Sequence, residues 1–285
     1  MITTGWNAGP GGRSAGRRML AMALAAALAV APIAAMPRAG EAAGKSADDT
    51  FEWSGKIAAG KRIEIKGING DIMVDPTSGT EVKVVAKKSA HKSDPEKVTI
   101  EVIEHAGGVT LCAKYPTPKG EKPNECKPGR DGRMSTHDND VQVDFTVQVP
   151  AGVGFSGRTV NGDIMASGLK GDAEAYTVNG SIKLATLGTA RATTVNGSIQ
   201  AEMGVPAGYE LEFESVNGGI TVTMPAASGA DVHASTVNGS ITTDFPLTVQ
   251  GKFTPRTLRG TIGKGGPELK MSTVNGSIRL RAATS

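Results

Sequence analysis

Aromatic side chains are scarce in this chain of 285 residues, and cysteines and long apolar runs are scarce as well. Only 4% of the residues are Phe, Trp or Tyr and only 2 are Cys, whereas glycine occurs 38 times. This composition excludes a core of bulky side chains and predicts many short strands joined by tight turns. No apolar stretch approaches the ~20 residues that a comfortable membrane-spanning helix needs.

Positive charge is concentrated at the N-terminus. Arg13, Arg17, Arg18 and Arg38 against Glu41 account for the whole formal charge of +3, so the rest of the chain is close to neutral. Because a nucleic-acid partner requires a cationic footprint, we expect no nucleic-acid partner.

Residues 1–42 have the pattern of a secretory signal peptide. Arginines precede the apolar run Leu20–Ala31, and small residues follow it up to Ala42. A charged region, an apolar region and a small-residue exit are typical of such leaders. We expect cleavage after Ala42, export to the periplasm or the cell surface, no stable membrane span after cleavage, and a single domain over residues 43–285.

The 2 cysteines, Cys112 and Cys126, flank a polar stretch rich in Pro and Gly. An exported chain meets an oxidising compartment, where a bridge closing such a loop is worth about 3 kcal/mol. A metal pair is the alternative, but two cysteines without further ligands make a poor zinc site. We therefore expect a Cys112–Cys126 disulfide and a loop-rich insertion at about residues 114–140.

One pentapeptide recurs along the chain: an aliphatic residue, Asn, Gly, a small or acidic residue, and Ile. Its asparagines are Asn69, Asn161, Asn179, Asn196, Asn217, Asn238 and Asn275. Its glycines are Gly70, Gly162, Gly180, Gly197, Gly218, Gly239, Gly276 and, in a degenerate copy with Arg259 in place of Asn, Gly260. From Asn161 onwards the copies follow at steps of 16 to 21 residues, which indicates a solenoid or another repeat array.

Two architectures fit this repeat. In one, Asn-Gly is a type I′ turn and each copy is an antiparallel hairpin, which can belong to a sandwich. In the other, Asn-Gly is a corner of a parallel β-solenoid, where glycine permits positive φ and the asparagines stack in a ladder. A hairpin turn accepts Asp nearly as well as Asn, but stacked carboxylates would repel each other, and no copy carries Asp at this position. We therefore favour the solenoid.

Two further patterns accompany the repeat. A Thr or Ser precedes the aliphatic residue in most copies, which we interpret as a ladder between coils rather than a surface for recognition. Strand-like runs at residues 81–87, 97–104, 109–113 and 141–149 lie between the first 2 Asn-Gly copies, either as degenerate coils or as inserted strands. Phe51 and Trp53 are candidates for an N-terminal cap.

The chain resembles a bacterial family called putative adhesins, which is related to the head domains of autotransporter-like adhesins. The resemblance rests on the exported leader, the Asn69–Ile72 copy, the passages Val109–Pro116 and Val147–Gly152, and the Val-Asn-Gly array. It implies a β-solenoid domain of unknown function in the cell envelope, and it implies no catalytic residues.

No catalytic motif, metal site or cofactor site emerges from the residues, so we expect no enzyme activity and no cofactor. His137, Asp138, Asn139 and Asp140 lack the spacing of a calcium loop, and we interpret them as a solvated loop. The outward residues after the turns, such as Lys183, form a mixed column without paired carboxylates.

Three functions remain open for the chain. The first is an adhesin or structural protein that binds a surface glycan. The second is a carbohydrate-active β-helix enzyme. The third is a periplasmic scaffold that binds another envelope protein. A homodimer through an exposed edge after Ile278 is also a hypothesis.

Overall fold

The computed structural model describes residues 49–204, 210–249 and 254–283, and these residues form an all-β fold. Their strands in chain order are β1 Asp49–Gly55, β2 Arg62–Lys66, β3 Ile72–Thr77, β4 Val82–Ser89, β5 Thr99–His105, β6 Gly108–Lys114, β7 Gln142–Pro150, β8 Gly154–Arg158, β9 Ile164–Leu169, β10 Ala173–Asn179, β11 Ile182–Thr186, β12 Ala190–Asn196, β13 Ile199–Met203, β14 Leu211–Asn217, β15 Ile220–Pro225, β16 Ala230–Asn238, β17 Ile241–Thr243, β18 Leu247–Val249, β19 Thr257–Ile262, β20 Glu268–Asn275 and β21 Ile278–Ala283. A 3-10 turn, Pro95–Lys97, precedes β5. Within the described residues, no helix is long and apolar enough to cross a membrane. The predicted signal peptide lies outside these residues.

The strands form two sheets. The first sheet has the order β1-β4-β7-β3-β9-β11-β13-β15-β21-β17, and the second has the order β18-β19-β16-β20-β14-β12-β10-β8-β2-β6-β5. Each coil contributes one strand to each sheet and pairs in parallel with the coils beside it, so that Asn179 lies opposite Asn196 and Ile182 opposite Ile199. The predicted parallel β-solenoid is confirmed, and the hairpin interpretation of the repeat is wrong.

Stacked aliphatic columns between the two sheets form the core. The closing isoleucine of every Asn-Gly repeat is buried in one such column: Ile72, Ile164, Ile182, Ile199, Ile220, Ile278 and Ile241. In β13 the buried residues Ile199, Ala201 and Met203 alternate with exposed Gln200 and Glu202. Because two facing sheets are only about 10 Å apart, mid-sized aliphatic side chains fill the space and few aromatics are needed.

Close contact between coils, rather than positive φ, explains most glycines of the repeat. Among them only Gly70 has a positive φ, at 123°, so the predicted role of positive φ is wrong for the others. A Cβ built on Gly197 would lie 1.9 Å from the carbonyl oxygen of Gly180, and one built on Gly218 would lie 1.8 Å from that of Gly197. No side chain fits between coils that approach this closely.

The spatial order of the coils differs from their order in the chain. The last coil, β20/β21, lies between β14/β15 and β16/β17, so Asn275 stacks between Asn217 and Asn238. The strands that end the repeat array are therefore paired on both sides. The hypothesis of a homodimer through an edge after Ile278 loses its structural premise.

Both ends of the stack are covered by antiparallel strands. At one end β1 pairs with β4, β4 with β7, and β5 with β6, each in antiparallel fashion. Phe51 and Trp53 in β1 pack against the core as predicted. At the other end β19 pairs with β16 and β18 with β19. Gly260 lies inside β19 opposite Val232, so its predicted place in a coil corner is wrong. Because β19 pairs in antiparallel fashion with both β16 and β18, it does not belong to the parallel stack of coils.

The segment between Asn69 and Asn161 contains both of the alternatives that the sequence left open. Strands β4, β5, β6 and β7 match the four predicted runs. β6 and β7 form a further coil, parallel to β2 and β3 and outside them, whereas β4 and β5 are antiparallel additions. Residues 115–141, which connect β6 to β7, contain no strand, in keeping with the expected loop-rich insertion.

Candidate binding groove

The repeat asparagines form a continuous ladder of side-chain amides along one corner of the solenoid. Except at Asn69, where the ladder starts, each Nδ2 donates to the Oδ1 of the preceding coil in the stack at 2.7–2.8 Å. In space the ladder runs Asn69, Asn161, Asn179, Asn196, Asn217, Asn275 and Asn238. An amide both donates and accepts, whereas a carboxylate only accepts, which accounts for the absence of Asp from these positions.

A second ladder, buried beneath the first, is formed by the Thr and Ser residues that precede the aliphatic position. The hydroxyl of Thr194 donates to the carbonyl oxygen of Gly180 at 2.8 Å, and Ser215 does the same to Gly197 at 3.0 Å. These hydroxyls are buried and therefore unavailable for surface recognition. Thr257 departs from the column because it begins β19 and is exposed.

Replacing Asn196 with Asp should lower the free energy of unfolding by about 1–3 kcal/mol, because the donor to Asn179 is lost and two oxygens then face each other. The matched change Asn69→Asp should cost less than about 0.5 kcal/mol. Asn69 ends the ladder, and its Nδ2 reaches only the carbonyl oxygen of Val141 at 3.5 Å. Urea unfolding measures both values. Equal losses of unfolding free energy at the two positions would contradict the ladder. The loss caused by Asn196→Asp should also become smaller below about pH 4, where a protonated carboxyl can donate again.

A disulfide anchors the loop that connects β6 to β7. Cys112 in β6 is bonded to Cys126, with Cα atoms 5.9 Å apart. Tyr115 begins the loop, and its buried hydroxyl donates to the carbonyl oxygen of Val141 at 2.9 Å. Burial raises the pKa of Tyr115 to about 12. The loop is thus fixed at its start and near its middle.

The same loop covers a buried ion pair on the outer face of the second sheet. Glu64 and Lys66 are outward residues of β2, yet both are buried, with Nζ and Oε1 3.7 Å apart. Lys66 Nζ also donates to the carbonyl oxygens of Gly129 and Asp131, at 2.6 and 3.1 Å. Glu64 Oε2 accepts from the Gly129 N–H at 2.9 Å. Burial lowers the pKa of Lys66 from its ordinary value, and the nearby Glu64 carboxylate opposes that shift.

Beyond the loop, charged residues of alternating sign cross the outer face of the second sheet. Glu174, Arg191, Glu212 and Lys270 occupy the same register position on β10, β12, β14 and β20. Glu212 bonds to Arg191 Nε at 2.9 Å and to Lys270 Nζ at 2.6 Å. The hydrogen bond from Lys270 is the main cause that lowers the pKa of Glu212, and Glu212 in turn raises the pKa of Lys270. Both side chains are therefore ionised at neutral pH.

Connected clefts over this face form what we call the charged groove. The largest, of about 520 Å³, is bordered by Glu174, Arg191, Glu212 and Lys270. It shares Glu174 and Arg191 with a cleft of about 40 Å³, which in turn shares Arg130 and Arg158 with a cleft of about 170 Å³ beneath the loop. At the other end a cleft of about 280 Å³ shares Glu268 and Lys270 with the largest one.

The charged groove runs across the strands from β2 to β19. Seven strand spacings of about 4.8 Å give it a length of roughly 34 Å. Its floor consists of paired strands, so its binding groups are side chains rather than free backbone amides. A surface of this length and polarity suits an extended polar chain.

Sequence reasoning missed the charged groove. The outward residues it considered, Lys183, Gln200, Thr221, Thr242 and Arg279, lie on the first sheet. A signal was nevertheless present, because the residue five positions before the repeat asparagine is ionisable in every copy from Asn179 onwards.

The loop residues weighed as a cation site have a different role. Asp140 accepts hydrogen bonds from the backbone N–H groups of His91, Lys92 and Ser93, which lowers the pKa of its carboxyl. The carboxylate therefore ties two loops together. Among the residues that the structure describes, no group of three His, Cys, Asp or Glu side chains is placed to hold a metal ion.

Comparison with known proteins identifies a matching family model and a solved structure of similar fold. A family model described as Toastrack DUF4097 matches residues 55–281. No curated protein matches the chain. A solved "putative cell adhesion protein" from Clostridium sporogenes is 12% identical, with a TM-score of 0.51 over 84% of this chain and 100% of its own. A "putative adhesin" from Bacteroides fragilis is 13% identical, with a TM-score of 0.40 over 81% of this chain and 97% of its own. The first likeness concerns the fold alone, and the second carries no argument.

Proposed function

Because the chain belongs to the Toastrack DUF4097 family, we propose that it is an exported, adhesin-like binding protein without enzyme activity, and that its charged groove holds a surface glycan. The observation that carries the proposal is the row of clefts over the second sheet, in which each cleft shares lining residues with its neighbour. The name of the Clostridium sporogenes relative is in keeping with an adhesive role. The pattern of residues 1–42 supports export.

The protonation states in the groove favour binding over catalysis. General acid–base chemistry works best with a group whose pKa lies near the working pH. Here the pKa of Glu212 is lowered and that of Lys270 is raised, so both shifts move away from neutrality. The carbohydrate-active enzyme is therefore the weaker alternative, although charged residues from neighbouring coils do converge on one face.

The lining of the groove favours a glycan over a peptide. Peptides are commonly held by an open sheet edge, by an apolar or aromatic-lined groove or, when the peptide is acidic, by a cluster of arginines. The floor strands β10, β12, β14 and β20 are each paired on both sides, and their outward residues are mainly charged or hydroxylated. Such groups match the hydroxyl groups of a polysaccharide better than apolar peptide anchors.

A glycan array combined with a pull-down tests this function on the full exported chain and two variants. Thr189→Trp should fill the largest cleft and weaken glycan binding at least tenfold, because Thr189 lines that cleft. Thr221→Trp is the matched control, since Thr221 is also half-buried but lies on the first sheet. It should leave binding unchanged.

Three results would overturn the proposal. Equal weakening by both variants would show that the groove is not the binding site. Recovery of one envelope protein without any glycan binding would favour the scaffold alternative. Release of shortened sugars from a bound glycan would establish an enzyme.

A further inference from the structure

Three arginines from separate elements converge on the 40 Å³ cleft of the charged groove. Arg130 comes from the disulfide loop, Arg158 from the end of β8, and Arg191 from β12. The carboxylate that borders the cleft, Glu174, is already paired with Arg62 at 3.4 Å. The lining therefore contains three cations and one carboxylate, although Arg191 is also paired with Glu212 and Arg158 lies near Glu64 outside the cleft.

Two of these arginines have unused hydrogen-bonding capacity. In the part of the chain that the structure describes, Arg130 has no ion-pair partner. The buried Nε of Arg158 has no hydrogen-bond partner and lies 3.8 Å from Glu64 Oε1, beyond hydrogen-bond distance. The Arg158 guanidinium lies over the ring of Tyr176, 5.9 Å from its centre. Tyr176 thus orients Arg158 without satisfying its donors.

The loop holds the backbone next to Arg130 in place before any ligand arrives. Its neighbour Gly129 is bonded through its carbonyl oxygen to Lys66 and through its N–H to Glu64. Cys126 attaches the same loop to β6. Because this part of the backbone is already ordered, only the Arg130 side chain loses conformational entropy when it binds.

The size of the cleft matches one anionic group. A volume of about 40 Å³ accommodates roughly three water molecules at 10–15 Å³ each, comparable to a carboxylate or a sulfate. Arginine binds such planar or tetrahedral anions with paired N–H donors. The adjoining 520 Å³ cleft leaves room for sugar rings attached to that group.

We propose that the cleft between Arg130, Arg158 and Arg191 binds the carboxylate or sulfate group of an acidic polysaccharide that lies along the charged groove. This inference rests on the proposed glycan-binding function and specifies the chemical class of the glycan. Tyr176 also borders the cleft, and its hydroxyl can form a hydrogen bond with the adjacent sugar.

Titration calorimetry with defined oligosaccharides tests this assignment on the full exported chain. An oligogalacturonate should bind at least tenfold more tightly than its uncharged methyl ester, and its affinity should fall as salt is added. A sulfated dextran oligosaccharide, compared with neutral dextran, shows whether a sulfate is accepted in place of a carboxylate.

Arg130→Gln should weaken oligogalacturonate binding at least tenfold and binding of the methyl ester much less, because the ester carries no negative charge. Arg130 is exposed and contributes no contact to the core, so the variant should retain the circular dichroism spectrum of the parent. Arg279→Gln, an exposed arginine on the first sheet, is the matched control and should not alter binding.

The possible failures are distinguishable. If acidic and neutral oligosaccharides bind equally and Arg130→Gln has no effect, the proposed anion-binding role of the cleft is overturned while the glycan-binding function stands. If no oligosaccharide binds, both proposals fail. If polyglutamate binds as tightly as oligogalacturonate and is equally sensitive to Arg130→Gln, the cleft recognises anions without requiring a sugar, and the glycan assignment is overturned.

Discussion

Substituting alanine for Gly197 should lower the free energy of unfolding by more than about 4 kcal/mol, a loss that is exceptional for a single methyl group. The added Cβ would lie 1.9 Å from the carbonyl oxygen and 2.5 Å from the carbonyl carbon of Gly180. Both atoms belong to the backbone of the neighbouring coil, which is held by the Asn ladder and by parallel pairing on both sides. The clash can be relieved only by separating the coils. Urea unfolding followed by circular dichroism measures the loss.

Gly67→Ala is the matched control for this change. A Cβ at Gly67 would make ordinary contacts, at 3.7 Å from Thr159 and 3.9 Å from Phe145. Its effect should stay within about 1 kcal/mol. If the two variants unfolded at the same urea concentration, the close approach of coils would not be the reason for glycine. If Gly197→Ala fails to fold, its soluble yield relative to that of Gly67→Ala gives the comparison instead.

Removing the buried ammonium group through Lys66→Ala should cost about 3–5 kcal/mol, the usual range when one partner of a buried ion pair is lost. Of its cations, Glu64 would keep only the more distant Arg158, at 3.8 Å, and the carbonyl oxygens of Gly129 and Asp131 would lose their shared donor. The loop should open at the same time, because those carbonyls attach it to the sheet. Urea unfolding reports the first effect, and protease cleavage within residues 115–141 reports the second.

Lys183→Ala controls for the loss of a lysine side chain, since Lys183 is exposed on the first sheet. Its effect should be within about 0.5 kcal/mol. The double variant Glu64→Gln/Lys66→Met should be more stable than Lys66→Ala alone, because no uncompensated charge remains buried. A double variant as unstable as the single one would show that the lost hydrogen bonds to the loop carbonyls, rather than the unpaired charge, account for the loss.

Residues that are far apart in the sequence form the anion-binding cleft between Arg130, Arg158 and Arg191. Lys66 belongs to β2, Cys112 to β6 and Arg130 to the loop that follows it. Residues 62–66 and 108–112 meet only because β6 stacks outside β2 in parallel. In sequence, Arg130 is one charged residue in a polar loop. In the fold it stands across a cleft from Arg158 and Arg191.

Much of the repeat architecture could be predicted from local patterns. Alternating polarity indicated the strands, including the four between Asn69 and Asn161. The absence of Asp from the Asn position indicated stacking, because like charges in a column repel each other. The sequence predicted glycine at these corners for the wrong reason. The short distance between the backbones of neighbouring coils, which excludes a Cβ, exists only once the coils are stacked.

The sequence by itself determined that coils stack in parallel with amides over amides, because each repeat carries the same hydrogen-bonding groups at the same positions. Which coil lies on which was decided only by the tertiary structure. Every Asn-Gly corner offers an equivalent stacking surface, so local patterns do not distinguish β16 from β20 as the neighbour of β14. In the observed order Glu212 lies between Arg191 and Lys270, whereas stacking in chain order would place His233 beside Glu212 and separate it from Lys270. The Glu212–Lys270 ion pair accompanies the observed arrangement, in which β19 covers β16 in antiparallel pairing, and this arrangement creates the charged groove.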